Sequence, residues 1–168
     1  MLLASCTTQP SSPVPNGSVS AFEVAAPLVS SPLDARGVDA CAVLQPDRLS
    51  ALGASDETAR DLASDNAESC SWTSLDGSFM LDLAISVEAG LRFPYSIKDS
   101  FLAFQETEVD GYPAVNVDPP DAPTCSFWVG IAETQSFSAD ASSLSTSAPP
   151  LCEKARALAS EVLDALRK

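Results

Sequence analysis

The stretch "GSFMLDLAISVE", residues 77–88, decides the fold. Phe79, Leu81, Leu83, Ile85 and Val87 alternate with Ser78, Asp82, Ser86 and Glu88. Successive side chains of a strand point to opposite faces, so this pattern is a β-strand with one buried and one solvated side. Just upstream, Asp76-Gly77 supplies a tight hairpin turn to a preceding strand around Cys70 and Trp72. The device recurs at Asp110-Gly111, inside "FQETEVDGYPAVNV". In "TCSFWVGIAETQSFSA", Cys125, Phe127, Val129 and Ile131 share one face, and a turn near Glu133 leads to a last strand around Phe137. "LRFPYSIKDSF", residues 91–101, lies between hairpins and is expected to cover the sheet as a loop or short helix.

Helical signals flank this β-rich centre. In "LCEKARALASEVLDALRK", Ala155, Leu158, Val162, Ala165 and Leu166 recur at helical spacing. Glu153 near its start and Arg167 and Lys168 at its end both suit the helix dipole. On the N-terminal side, Asp39 caps a short turn holding Cys41. Pro46 and Asp47 suit the first turn of a helix with Leu49 and Leu52 on its apolar side and Gly53 as terminator. "ASDETARDLASDNA" reads as another short helix capped by Ser55. The sum is an α+β domain: an antiparallel sheet of hairpins packed by a C-terminal amphipathic helix and short N-terminal helices.

Composition narrows the function. Lys and Arg number 9 against 23 Asp and Glu, a net charge of −14. That opposes nucleic acid, whose binding rests on neutralising phosphates, and opposes docking onto anionic lipid. Solubility of an exported domain is the first reading of the charge, and a cationic partner the second. There is no histidine, which removes Ser-His-Asp and Cys-His catalysis and every His-containing zinc site. No run of apolar residues is long enough to span a bilayer.

Five cysteines occur, and Cys6 stands apart. Cys41, Cys70, Cys125 and Cys152 are widely spaced, unlike the close pairs of zinc sites. Their spacing suggests two disulfides and an oxidising compartment. Leu3-Ala4-Ser5-Cys6 matches a bacterial lipobox, in which Cys6 takes a diacylglyceryl group and becomes the first residue. Residues 1–6 are then a signal-peptide remnant. Residues 7–33, including the Pro/Ser-rich "TTQPSSPVPNGSVSAFEVAAPLVSSP", form a flexible linker, and residues 34–168 form one domain. About 135 residues remain for that domain, which at this size buries roughly two-thirds of its unfolded surface.

Other candidate sites have plain structural readings beside the functional ones. Trp72, Trp128, Tyr95 and Tyr112 read as core or hairpin packing first and as groove lining second. Asp118 and Asp121 flank two prolines; the dense oxygen spacing of a calcium loop is absent, and a solvated loop is expected. "SADASSLSTSAPP" reads as a polar linker before the last helix. No Gly-rich phosphate cradle, metal site or cofactor site is recognised.

In order, "VDACAVLQPDRLSALG", "CSW", "VDGYPAV", "CSFWVG" and "CEKARALASEVLDAL" resemble the actinobacterial lipoprotein family catalogued as domain of unknown function 3558. The resemblance runs from about Asp34 to Leu166. Family members commonly carry an acidic residue before the last cysteine; here it is Leu151, which weakens the helix cap. The resemblance implies an exported lipoprotein with lipid on Cys6 and structural cysteines at Cys41, Cys70, Cys125 and Cys152. Of the three possible pairings, Cys41–Cys152 and Cys70–Cys125 are expected, the first tying the opening turn to the closing helix and the second linking two strands. It implies no reaction. The expectation is a lipid-anchored protein on the outer face of the cytoplasmic membrane, non-catalytic, binding an envelope protein or small ligand. A hydrolase using carboxylates alone, or a passive surface protein, are the alternatives. Facing carboxylates across a cleft would favour the hydrolase, and an apolar groove would favour binding.

Overall fold

The computed structural model describes residues 26–62, 67–118, 123–146 and 149–168. Cys6, the lipobox, most of the linker and Asp121 lie outside them. Helix α1 (Pro46–Leu52) follows the Asp39 turn, in which the Asp39 carboxylate accepts from the Cys41 and Ala42 amides at 2.8 and 3.3 Å. Leu49 and Leu52 are buried, and Gly53 ends the helix in the left-handed conformation with φ +83. The next stretch departs from the expected helix. Asp56–Thr58 is a single 3-10 turn, followed by a two-residue strand, β1 (Arg60–Asp61). Residues 55–61 bury nothing large and apolar, so no packing face holds a helix there.

Among the described residues the remaining strands are β2 (Glu68–Thr73), β3 (Phe79–Ser86), β4 (Ala103–Val109), β5 (Tyr112–Asp118), β6 (Thr124–Gly130) and β7 (Ser136–Ser143). They form one antiparallel sheet in the order β1-β2-β3-β7-β6-β5-β4. The β4–β5 hairpin closes through Asp110 and Gly111, both at positive φ (+48 and +84), with Val109 paired to Tyr112. That geometry is the two-residue turn that Asp-Gly favours. β7 corrects the sequence reading: Ser138–Ser143, expected to begin a polar linker, form most of a central strand and run to its end. Its apolar residues are small. Ala139 and Ala141 are fully buried beneath helix α3 (Leu151–Leu166), where larger side chains would hold the helix off the sheet.

Helix α3 lies on one face of the sheet, over β7 and β6, and buries Ala155, Leu158, Ala159, Val162 and Leu163. Opposite them are Leu81, Leu83 and Ile85 of β3, Phe137 of β7 and Val129 of β6, with Trp72 of β2 wholly enclosed. Helix α1 packs beside α3, and Arg48 pairs with Glu161 at 2.6 Å. Residues 26–35, of which 26–33 were expected in the linker, run along the sheet. The Leu33 amide donates to the Ile131 carbonyl at 2.8 Å, and buried Gln135 accepts from the Ala35 amide at 2.8 Å.

The cysteines pair as Cys41–Cys70 and Cys125–Cys152, each with Cα atoms 5.0 Å apart. The expected pairing, Cys41–Cys152 and Cys70–Cys125, is therefore corrected. Its fault is topological. β7 and β3 stand between β6 and β2, so Cys70 and Cys125 are three strand spacings apart. Strands lie about 4.8 Å apart, and a disulfide spans Cα atoms no more than about 7 Å apart. No described helix is long and apolar enough to cross a membrane.

Candidate functional site

The connection from β3 to β4 shapes the second face of the sheet. It leaves β3, turns at Gly90 (φ +54), forms the short helix α2 (Arg92–Ser96) and crosses to the far edge. On its way it packs Leu91 and Tyr95 onto Val115 and Val117 of β5, with Phe101 and Phe104 around them. Tyr95 stands edge-on to Phe104 at 5.1 Å, and burial with the neighbouring Glu106 carboxylate pushes its phenol up to about 12. This covers the β4–β5–β6 half of the face. No described helix covers the β2–β3–β7 half.

Strand register fills that uncovered half. Ser71 of β2 pairs with Asp82 of β3, Asp82 with Asp140 of β7, and Asp140 with Ser126 of β6. Two carboxylates thus stand directly opposite each other on neighbouring strands, between two serines. Like charges so placed destabilise a sheet. Ser138 donates to Asp140 Oδ2 at 3.0 Å. Burial pushes the Asp140 carboxyl up to about 6, helped by the charge of Asp82 and opposed by hydrogen bonds from Ser126 and Ser138. Burial also raises Asp82, against a hydrogen bond from Ser71. Among the described residues no lysine or arginine forms an ion pair with either.

Two residues along the strands, on the same face, Ala84 opposes Ser138, and Ser138 opposes Trp128 of β6. Here a pocket of about 310 Å³ opens between the sheet and the departing connection. Ala84, Ala89, Phe93 and Trp128 give it an apolar lining, with Ser86, Ser136, Ser138 and Glu88 at its polar positions. Phe93 packs on Trp128 with ring centroids 5.4 Å apart, and 46% of it remains exposed. Ser138 joins the two features, since it lines the pocket and binds the Asp140 carboxylate.

Of the four aromatic residues read as possible groove lining, Trp72, Trp128, Tyr95 and Tyr112, it is Trp128 that lines this pocket. Trp72 is core, Tyr95 packs under the connection, and Tyr112 donates to the Ser31 carbonyl at 2.9 Å. Asp118 ends β5 in an exposed position. No group of three or more His, Cys, Asp or Glu that could hold a metal occurs among the described residues. Sequence reasoning missed Asp140, Ala84, Phe93 and the serines. The alternation of β3 does mark Asp82 as facing away from the core, but its partner appears only once β7 is known to lie beside it.

The structure defines a class: a disulfide-stapled α+β domain, one sheet face sealed by a helix and the other bearing a pocket and a carboxylate pair. The chain belongs to the family described as "Protein of unknown function (DUF3558)", which matches residues 1–165. Neither the curated proteins nor the solved structures contain a match.

Proposed function

We propose that this is a lipid-anchored protein of the cell envelope, held on the outer face of the membrane through Cys6, whose domain is a non-catalytic binding module. The observation that carries the binding role is the pocket of about 310 Å³ between Trp128, Phe93 and Ala84. Its volume falls at the small end for ligand sites, and an apolar lining with a few polar groups is what such sites have. A passive surface protein has no use for such a pocket. Asp82 and Asp140 give the hydrolase alternative its carboxylates. They stand side by side on one sheet surface, however, and do not face each other across a cleft where a scissile bond could sit. The lipid anchor is supported by Leu3-Ala4-Ser5-Cys6, and an oxidising compartment by the two disulfides. A diacylglyceryl group brings two chains, which is what stable anchoring requires.

Two experiments test this reading. The gene is expressed with its upstream region in a lipoprotein-processing host, and the membrane fraction is analysed by mass spectrometry. An N-terminal peptide starting at diacylated Cys6, with Cys6→Ser released from the membrane, is the expected result; an unmodified peptide starting at Met1 overturns the anchor. For binding, an environment-sensitive apolar dye should saturate at one site per chain, and Ala84→Trp, which fills the pocket, should abolish that signal. A linear, unsaturable response overturns the binding role. Hydrolysis of glycosides lost in D82N/D140N would replace it with the catalytic one.

A further inference from the structure

We infer that the pocket and the carboxylate pair are one site, and that its ligand is an amphiphilic organic cation with an apolar body in the pocket and an ammonium on Asp82 and Asp140. The inference rests on the binding reading above and adds the chemistry of the ligand.

Charge complementarity selects that ligand. The walls of the pocket are Ala84, Ala89, Phe93 and Trp128, which offer an apolar body contacts but no hydrogen bonds. Its polar positions are three serines and Glu88, so no cation lines it among the described residues. From Ala84 and Ser138 to Asp82 and Asp140 is two residues along paired strands, about 7 Å at the rise of a β-strand. A ligand with its apolar part against Trp128 therefore reaches the carboxylates with its head. The groups that hydrogen-bond those carboxylates are neutral hydroxyls, Ser71 from β2 and Ser126 and Ser138 from β6 and β7, while Arg60 of β1, which pairs with Ser71 and so stands in the same row two strands from Asp82, forms no ion pair with either. Serine hydroxyls orient a carboxylate without neutralising it. The fold thus holds two like charges together, partly buried, with no lysine or arginine paired to them among the described residues. A bound ammonium supplies one and donates hydrogen bonds to both carboxylates. The face of Trp128 adds attraction for a cation passing over it. An anion there meets the repulsion of both carboxylates and of Glu88.

The full chain is titrated by calorimetry at pH 7.5 and low salt with octylammonium, 1-octanol, octanoate and ethylammonium. Octylammonium should bind at least tenfold more tightly than 1-octanol, and octanoate should give no detectable heat. Ethylammonium has the charge without the body and should bind at least tenfold more weakly than octylammonium. In D82N/D140N, the preference for octylammonium over 1-octanol should shrink to less than threefold while 1-octanol still binds and the thermal transition stays cooperative. Ala84→Trp should remove both ligands. Equal affinity for octylammonium and 1-octanol overturns the cation and leaves the binding reading standing. A preference unchanged in D82N/D140N assigns it to the diffuse charge of −14 and also overturns the inference. If no eight-carbon probe binds, both readings fall together. If the wild type sediments as a dimer that Ala84→Trp dissociates, the occupant is a second copy of this chain, and the inference is wrong.

Discussion

Beneath α3, the sheet presents Leu81, Leu83, Ile85, Phe137 and Val129 to a helix that covers them; the reverse of the same sheet presents Ser71, Asp82, Asp140, Ser126 and Ser138 to none of the described helices. The first set gains stability from burial. The second loses some, because two carboxylates are kept close together where water reaches them poorly. Residues held against the interest of stability mark functional sites more reliably than residues that merely pack. One face thus holds the fold, and the other carries the site proposed above.

Substitutions sharpen that contrast in descending order of effect. Phe137→Ala, at the centre of the covered face, should cost about 4 kcal/mol in urea denaturation, because it removes a buried ring and leaves a cavity. A loss below about 1 kcal/mol would mean the covered face is not the main support. Replacing Cys125 and Cys152 together by serine should cost about 3.5 kcal/mol, the chain-entropy value for a loop of this length. Non-reducing peptide mapping of the wild type should show Cys41–Cys70 and Cys125–Cys152, and any other pairing contradicts the structure.

Asp140→Asn should act in the opposite direction. The folded carboxyl is raised from 3.8 to about 6, so between those values the folded chain binds more protons than the unfolded one. Stability contributed by this group is full below about pH 4 and is lost as pH rises through about 6. The asparagine variant lacks that loss. It should be about 1–2 kcal/mol more stable than wild type at pH 7, discounted for the residual solvent access of Asp140, and no more stable at pH 4. Matched melts at the two pH values measure it. A variant less stable at pH 7 would show that the serines stabilise Asp140 more than burial penalises it. Glu161→Ala, which breaks the pair with a 42% exposed Arg48, should cost about 0.5 kcal/mol, the smallest of these effects.

The same division decided what the sequence revealed. The covered face was legible because its residues are large: Phe79 to Ile85 write their alternation plainly, and Leu158 and Val162 write a helical period. The Asp110-Gly111 turn and the Gly53 cap were legible because only a few residue types tolerate positive φ. β7 was legible only at Phe137. Past that point its inward residues are Ala139 and Ala141, and small side chains carry no hydropathy signal, although closeness to α3 is what demands them. Missing β7 hid the carboxylate pair, because Asp82 gains its neighbour only from the strand order. The same ignorance of strand order produced the wrong disulfides: spacing along the chain says nothing about which strands lie between two cysteines. Phe93 and Ala84 were invisible as site residues, since the pocket exists only where the β3–β4 connection leaves the sheet.

The last strand in the chain occupies the middle of the sheet, and this has a consequence for the order of assembly. A chain that emerges N-terminus first makes β1–β2–β3 and then β4–β5–β6 as two separate meanders. Each has an unsatisfied edge until Ser136–Ser143 arrive to join them. Cys41 and Cys70 both belong to the earlier meander and its lead-in, Cys125 and Cys152 to the later part of the chain, and neither bond crosses the seam. Oxidation in order of appearance therefore reaches the native pairing without an isomerase. The late-arriving strand, not the disulfides, is what commits the two halves to one domain.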